Sequence, residues 1–295
     1  MLRVSEDGPS PVAFIGLGHM GRPMATRLAQ SGNEVVGYDA SVDLTGILEG
    51  VEIAPSPIDA VRDAAIVILM LPTSTAVESV IGEISSHLRS DAVVVDMGST
   101  SPLVTRTLAT SLAATGHMLI DAPVSGGVVG AKDGTLTIMV GGPDAQVDSL
   151  IPMLRALGTV RHVGPVGAGH ALKALNNLMS AAHLMVSSEA LVAGMRFGLD
   201  VNTMLDVVNL SSGRSGSTEV KWPRYIVPGT YDSGFAAQLM LKDIRTAVEL
   251  IESTGLTDIL SAGVLHSWTN AIERLDDAAD HTEVARLHDL PARDN

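Results

Sequence analysis

The chain has no cysteine among its 295 residues, few aromatic side chains (3%) and fewer basic than acidic groups. The first absence excludes disulfide bonds, thiolate metal sites and cysteine nucleophiles. The second leaves too few rings for the stacking platforms that bind single-stranded nucleic acid. With 19 Lys and Arg against 33 Asp and Glu, the formal charge is −14, which repels nucleic acid and anionic membranes. We therefore expect neither as a partner, and any anionic substrate would need a local cationic site.

Long hydrophobic runs are also scarce. Ala64–Pro72 is too short to span a bilayer. Leu178–Leu199 is long enough, but His183 and two charged side chains interrupt it, so the pattern predicts a buried helix of a soluble protein, with His183 in the core and Met179 as core filler. Residues 1–10 have no apolar stretch, and we expect a flexible tail rather than a targeting peptide. The predicted location is the cytoplasm.

The first half of the chain alternates short apolar runs with amphipathic segments. Several runs are apolar on both faces, which is typical of parallel strands covered by helices on each side. The predicted strands are Pro11–Leu17, Glu34–Tyr38, Val51–Ala54, Ala65–Leu71, Ala92–Asp96, Met118–Asp121, Leu136–Val140 and Val160–Val163. The predicted helices between them are Met20–Ser31, Ser56–Asp63, Thr75–Leu88 and Pro102–Thr115. This alternation predicts an α/β domain of the doubly wound type with a mostly parallel sheet, over residues 11–166.

The second half has no β-branched runs and is rich in Ala, Leu and Met. Four helices are predicted there, separated by a Gly/Ser-rich loop at Ser211–Thr218. They are His170–Gly198, Asn202–Leu210, Phe235–Thr254 and Ile259–Leu275. We therefore predict an all-helical second domain over residues 167–295.

A glycine-rich turn follows the first predicted strand. It reads Gly16-Leu17-Gly18-His19-Met20-Gly21 and opens a helix. Glycine at these three positions permits a tight turn, close approach of a pyrophosphate to the backbone, and close helix–strand packing. The free N–H groups at the helix start then favour phosphate. The context predicts a dinucleotide-binding site, although a turn without a ligand remains the simpler alternative.

Asp39 ends the second strand, 23 positions after Gly16 and close to the expected spacing of about 20 residues. A carboxylate there accepts hydrogen bonds from an adenosine ribose and repels a 2′-phosphate. Residues 40–43 supply no Arg or Lys for that phosphate, so NAD is predicted and NADP is disfavoured. The alternative is that Asp39 only closes a turn.

A second motif, Asp121-Ala122-Pro123-Val124-Ser125-Gly126-Gly127, ends another predicted strand. Its hydroxyl and exposed N–H groups suit a carboxylate, although such a sequence alone is more often a turn.

The third motif, residues 167–177, places Lys173 near a helix start, a position that favours the neutral amine. Asn177 follows four residues later and lies on the same face of the helix. Lys173 is thus a candidate proton acceptor, against the alternative of an ordinary surface lysine. His170, one turn earlier, is either a polar helix-start residue or a proton relay.

Together these motifs resemble the β-hydroxyacid dehydrogenase family, which includes 3-hydroxyisobutyrate dehydrogenase and tartronate semialdehyde reductase. The resemblance covers residues 11–250. It rests on residues 16–28, Met70–Val80, Val94–Pro102, 121–127 and 167–177, and on Phe235 with residues 239–243 (Leu-Met-Leu-Lys-Asp). It implies a Rossmann domain followed by a helical domain that forms a homodimer or homotetramer.

The resemblance also implies roles for individual residues. Ser125, Gly126 and Gly127 would bind the substrate carboxylate, Lys173 would be the general acid/base and Asn177 would orient the substrate. Lys242 would lie near both substrate and cofactor. Leu71, Pro72 and Ser99 would lie on the nicotinamide-ribose side. The implied activity is NAD-dependent oxidation of a small 3-hydroxy acid. The alternatives are an imine reductase, a semialdehyde reductase working mainly in the reductive direction, or a silent binding module of the same fold.

Two departures from the family pattern bear on the substrate. Gly98 stands where the family often has serine, so contacts on the nicotinamide side are expected to differ. Residues 213–217 (Gly-Arg-Ser-Gly-Ser) lack the tryptophan of the hydroxyisobutyrate enzymes, which favours a bulkier or more polar substrate. Asp280, His281 and Glu283 could be drawn as a metal cluster, but we expect a solvated face there and no metal.

Overall fold

The computed structural model describes residues 10–41, 48–257 and 260–288. Residues 1–9 of the expected tail, Val42 and Asp43 after the second strand, and Ile259 at the predicted start of the last helix lie outside these ranges. Two compact units can be distinguished, one ending at Lys173 and the other beginning at Ala174. The domain boundary at residues 166/167 stays a prediction.

Over the described residues the first unit contains one nine-stranded sheet. Its order is β3-β2-β1-β4-β5-β6-β8-β7, with β9 paired to β8. The strands are β1 Val12–Ile15, β2 Val35–Tyr38, β3 Val51–Ile53, β4 Ile66–Leu69, β5 Val93–Asp96, β6 Met118–Asp121, β7 Val124–Ser125, β8 Leu136–Gly141 and β9 Gly158–Gly164. Strands β1 to β6 pair in parallel, and β8 runs antiparallel to β6 and β7. The predicted, mostly parallel sheet is confirmed.

Successive side chains of the central strands enter two different cores. Phe14 of β1 packs in one hydrophobic cluster, whereas its neighbours Ala13 and Ile15 pack in another. The same alternation separates Val95 from Val94 in β5. Because both faces are buried under helices, these strands read as continuous apolar runs rather than alternating ones.

The helices of this unit are α1 Gly21–Gln30, α2 Pro57–Val61, α3 Ser74–Ile84, α4 Pro102–Ala114, α5 Gly127–Asp133 and α6 Asp144–Leu154. The side chains of Ser56 and Thr73 cap α2 and α3 by accepting N–H bonds. The sheet reverses its order between β1 and β4, so the carboxyl ends of these two strands form the edge at which ligands bind in open α/β sheets.

In the second unit every assigned element of the described residues is helical. Helix α7, Ala168–Phe197, enters it from the first unit, and α8 Val201–Asn209, α9 Ala237–Ser253 and α10 Ser261–Ile272 follow. A π-helix, Ser217–Ile226, and a 3₁₀ helix, His281–His288, complete it. Trp222 and Trp268 are fully buried in its core. The predicted Rossmann domain followed by a helical region is confirmed.

Three expectations about buried positions are wrong. His183 and Met179 are exposed, because α7 buries only one of its faces. Conversely, Asp280 and His281 are largely buried and hydrogen-bonded rather than solvated. By length and composition α7 would suit a membrane span, a test that core helices of soluble proteins also pass.

Candidate active site

The glycine-rich turn between β1 and α1 leaves no room for side chains at two positions. A Cβ atom at Gly16 would overlap the carbonyl oxygen of Met70, and one at Gly21 would overlap the carbonyl oxygen of Gly16. Gly16 also has φ +99°, which favours glycine. A Cβ at Gly18 would meet nothing within 4 Å, so this side of the turn is open. His19 is exposed and Met20 half-buried beside it.

This turn fits the pyrophosphate of a dinucleotide. Within the described residues no side chain caps α1, and its first turn carries no acidic residue. The N–H of Arg22 already donates to the carbonyl of Gly18, and the N–H groups at the helix start that lack a carbonyl partner are left to donate to phosphate oxygens.

Asp39 lies beside the same turn. Its Oδ2 atom accepts the N–H of Leu17 at 2.7 Å, and its Oδ1 atom accepts the N–H and the hydroxyl of Ser41. Partial burial favours the neutral acid, but the hydrogen bonds from Ser41 and Leu17 and the nearby Arg22 guanidinium outweigh it. They hold the pKa of Asp39 below its usual value. Asp39 is thus held as an ionised carboxylate, and its oxygens keep lone pairs that can accept hydrogen bonds from the two hydroxyl groups of a ribose.

Leu71, Pro72 and Ser99 lie just after β4 and β5, at the same edge of the sheet. Leu71 and Ser99 are half-buried and Pro72 is exposed. The neighbouring Gly98 is buried, and a Cβ there would lie 2.8 Å from the carbonyl oxygen of Leu71. The absence of the family's serine thus coincides with a close approach of two backbone segments.

The Ser125-Gly126-Gly127 segment forms a sharp bend. Ser125 pairs with Thr137 in an antiparallel bridge, and the chain then turns into α5 through Gly126 (φ +131°) and Gly127 (φ +62°). Positive φ at two successive positions requires glycine in practice. The bend exposes the backbone of both glycines, where N–H groups can donate to a carboxylate.

Asp121, at the end of β6, holds the start of α7. Its carboxylate oxygens accept the N–H groups of Gly167 at 2.7 Å and His170 at 2.8 Å. Burial raises the pKa of Asp121, although the charge of His170 and these N–H bonds oppose the rise. The residue that opens the Ser-Gly-Gly motif thereby fixes the helix that carries Lys173.

His170 is fully buried behind this contact. Its Nδ1 atom lies 2.8 Å from the hydroxyl of Thr105, which itself donates to the carbonyl of Ser101. Because a hydroxyl has one proton, Nδ1 must be the donor to Thr105. The Nε2 atom has no hydrogen-bond partner within the described residues and lies 3.8 Å from Asp96. Of the two alternatives for His170, this geometry favours a packed residue at the helix start.

Lys173 is half-buried, one turn after His170. Asn177 follows one turn later and is buried. Its Nδ2 atom donates to Asp243 at 2.6 Å, and its Oδ1 atom accepts from Asn176 at 3.2 Å. Asp243 also pairs with Lys242, 3.2 Å from Nζ to Oδ1. The structure thus joins Asn177 to Lys242 through a buried carboxylate.

Sequence reasoning missed Asp121, Asp243 and Thr105 as supporting residues. Asp121 and Asp243 both stood inside motifs quoted for the resemblance, next to the residues given roles. Their partners are 46 to 66 positions away, so local spacing could not reveal the contacts.

Comparison with known proteins gives consistent matches over both halves. The family model for the NAD-binding domain of 6-phosphogluconate dehydrogenase matches residues 11–167. The model for the NAD-binding domain of NADP-dependent 3-hydroxyisobutyrate dehydrogenase matches residues 167–288.

Individual relatives cover most of the chain. A 2-(hydroxymethyl)glutarate dehydrogenase of Eubacterium barkeri is 38% identical over 81% of this chain and 81% of its own length. An NAD-dependent L-serine dehydrogenase of Pseudomonas aeruginosa is 33% identical over 94% of this chain and 97% of its own length. The structure of Mycobacterium tuberculosis 3-hydroxyisobutyrate dehydrogenase with L-serine superposes with a TM-score of 0.89 at 28% identity, covering 94% of this chain and 98% of that one.

Proposed function

The chain belongs to the β-hydroxyacid dehydrogenase family, and we propose that it oxidises the hydroxyl group of a small 3-hydroxy acid with NAD as cofactor. One observation carries the proposal furthest. Asp121 ends β6 four residues before Ser125, and its carboxylate accepts N–H bonds from the start of the helix that carries Lys173. One side chain thereby joins the strand end that leads into the bend to the helix start that precedes the candidate base.

Each residue then has one chemical role. The N–H groups of Gly126 and Gly127, with the hydroxyl of Ser125, hold the substrate carboxylate. Lys173 accepts the proton of the substrate hydroxyl, or donates it in the reductive direction. Asn177, oriented by Asp243, hydrogen-bonds the same oxygen. NAD, when bound on the glycine-rich turn, supplies the hydride acceptor. Lys242, and Lys173 once it carries the proton, add positive charge to a chain of −14.

The substrate beyond the 3-hydroxy acid unit varies among the relatives. L-Serine carries an ammonium group next to its carboxylate, whereas 2-(hydroxymethyl)glutarate carries a second carboxylate. A panel with NAD at alkaline pH, containing 3-hydroxyisobutyrate, L-serine, glycerate and 2-(hydroxymethyl)glutarate, tests the proposal through NADH absorbance. A cyclic imine with NADH belongs in the same panel. Turnover of the imine and of no hydroxy acid would replace the proposal by imine reduction.

We expect Lys173→Ala to lower kcat at least 10²–10⁴-fold, because a positioned acid/base contributes about that much. NADH binding, followed by fluorescence titration, should be retained. Lys132→Ala is the matched control, since Lys132 is exposed on α5. A Lys173→Ala enzyme with normal turnover would contradict the assignment.

We further propose that the protein self-associates through α7. Met179, Val186 and Phe197 are 52%, 59% and 85% exposed and share one face of this helix. An exposed apolar stripe of this length marks an interaction surface. A second copy of the same helix fits it, because a two-fold pairing presents identical faces to each other.

A further inference from the structure

His170 is a buried side chain to which the proposed chemistry gives no role. It lies at the start of α7, three residues before Lys173, and its ring is shielded from solvent. Both ring nitrogens face the stretch of chain from Asp96 to Thr105, which we call the β5–α4 segment. This segment joins the end of β5 to the first turn of α4 and contains Ser99, the residue expected on the nicotinamide-ribose side. All of these residues belong to the first compact unit.

The Nδ1 atom of the ring holds the far end of the β5–α4 segment. It lies 2.8 Å from the hydroxyl oxygen of Thr105, whose own proton goes to the carbonyl of Ser101. Nδ1 is therefore the donor in this contact. Thr105 is fully buried, so the bond is protected from solvent.

The Nε2 atom faces the near end of the same segment. It lies 3.8 Å from Oδ2 of Asp96, and both side chains are buried. If the ring held its single proton on Nδ1, Nε2 would direct a bare lone pair at a carboxylate, with no hydrogen-bond partner in the part of the chain that the structure describes. That arrangement is unfavourable in a protein interior, whereas a proton on Nε2 turns it into an attraction between opposite charges.

Two buried carboxylates flank the ring and can balance its charge. Asp96 lies on the side of β5, and Oδ2 of Asp121 lies 3.9 Å from Nδ1 on the side of β6. The contact from α4, Thr105, carries no charge. On the first two turns of α7 the other ionisable group is Lys173. A cation between the two aspartates therefore lowers the repulsion between them.

Asp96 also shapes the part of the β5–α4 segment that carries Ser99. Its Oδ1 atom accepts the N–H of Gly98 at 2.9 Å, and its Oδ2 atom accepts the hydroxyl of Thr100 at 2.6 Å. Ser99 thus lies between two residues that are held by one carboxylate. A positive charge at Nε2 of His170 holds that carboxylate, and with it the bend around Ser99, against the start of α7.

We propose that His170 is a positioning residue for the proposed reaction, and that its protonated ring clamps the β5–α4 segment to the start of α7. The inference rests on the proposed function, which gives Lys173 and the cofactor their roles. A helix is stiff, so a start fixed at His170 also fixes Lys173, about 4.5 Å further along the axis. His170 thereby sets the distance between the base and the nicotinamide side, and a misplacement of about 1 Å can cost on the order of 10²-fold in rate.

The test separates the two ring nitrogens. In His170→Asn the amide nitrogen takes the place of Nδ1, so the bond to Thr105 is kept and the contact with Asp96 is lost. In His170→Gln the amide nitrogen takes the place of Nε2 and can still donate to Asp96. With NAD and the best 3-hydroxy acid of the panel at pH 7, we expect kcat to fall at least tenfold in His170→Asn and less than threefold in His170→Gln. KM for the acid should change less than twofold in both. His162→Asn, on the exposed strand β9, is the control.

Equal losses of kcat in the two variants would show that the ring only fills space, and would overturn the inference. Unchanged kcat in His170→Asn would do the same. A wild-type enzyme that oxidised no hydroxy acid would instead contradict the proposed function.

A ¹⁵N NMR spectrum of histidine-labelled protein provides a second measurement, which does not depend on turnover. At pH 7 we expect both ring nitrogens of His170 to carry a proton, with the signals identified by sequential assignment and by their absence from His170→Gln. Asp96→Asn removes the facing charge and should release the Nε2 proton. A bare Nε2 in the wild type, or a proton kept there in Asp96→Asn, would overturn the inference.

Discussion

Two aspartates at strand ends of the first unit, Asp39 and Asp121, make different kinds of contact. Asp39 is held ionised beside the glycine-rich turn, where we propose that it binds the adenosine ribose of a dinucleotide. Asp121 is buried and fixes backbone instead of ligand. Both aspartates stood in or beside the motifs quoted from the sequence, but only the contacts show that Asp121 holds backbone N–H groups.

The double variant Asp39→Ser with Ala40→Arg should shift cofactor preference toward NADP. It removes the charge that repels a 2′-phosphate and places a guanidinium at exposed position 40. The ratio of kcat/KM for NAD and NADP measures the change, and we expect it to fall at least tenfold. Ala40→Arg alone is the control, because it leaves the carboxylate in place. An unchanged ratio in the double variant would show that the ribose is bound elsewhere.

Lys221, whose ammonium group donates to the hydroxyl of Ser180, should make stability depend on alkaline pH. Burial lowers its pKa to about 8 in the folded protein, from 10.5 in the unfolded chain. Between these values the unfolded chain binds more protons, so the free energy of unfolding rises with pH. The destabilisation is fully present below pH 8 and is relieved toward pH 10.5.

Lys221→Met should therefore raise the free energy of unfolding at pH 7 by on the order of 1–3 kcal/mol. It should also abolish the increase of that free energy between pH 8 and pH 10.5. Urea titrations of both proteins at pH 7 and pH 9.5 measure the difference, with the exposed Lys132→Met as reference. A variant less stable than wild type at pH 7 would mean that the hydrogen bond to Ser180 outweighs the desolvation of the ammonium.

Among the elements, α7 depends on a cap that its own sequence does not supply. Asp121→Asn leaves one oxygen to accept two N–H groups and removes the charge at the helix start, which should cost about 1–2 kcal/mol. Because Lys173 lies just beyond the cap, we also expect kcat to fall at least fivefold. Thermal unfolding and steady-state kinetics measure the two effects.

Asp200→Asn provides the matched comparison. Asp200 caps α8 by accepting the N–H of Thr203, far along the chain from any residue proposed to touch substrate. It should lower stability only slightly, because asparagine caps an exposed helix start about as well as aspartate, and it should leave kcat unchanged. If both variants affect kcat equally, α7 is not the element through which Asp121 acts.

The regular elements were predictable from sequence because burial on both faces leaves continuous apolar runs. The strand Met118–Asp121 was predicted to the residue, and α7 began and ended within two residues of its prediction. Several elements were missed, among them α5 and the 3₁₀ helix His281–His288, and three of the misses have local reasons. Strand β7 has only two residues, α6 contains Pro152, and the π-helix contains Pro223 after a Gly/Ser-rich stretch. In the candidate site, Lys173 and Asn177 were singled out by helical spacing, whereas the contact of Asn177 with Asp243 joins residues 66 positions apart, which periodicity does not reveal.

For the molecule as a whole, the exposed stripe of α7 predicts the state of association. Val186→Asp should convert the proposed assembly into smaller species in light scattering, because it places a charge in the centre of the stripe. Val207→Asp is the control, since Val207 is equally exposed, at 59%, but lies on α8. A wild-type protein that already runs as a monomer would contradict self-association.

The crowded turn after β1 limits how such a protein can evolve. At Gly16 and Gly21 the obstacles are backbone oxygens, which no rotamer change can move aside. We therefore expect changes of cofactor preference to arise at the end of β2, where position 40 is exposed and position 39 carries the charge proposed to disfavour a 2′-phosphate. On this proposal two substitutions there could change the preferred dinucleotide, while the glycine-rich turn kept its sequence.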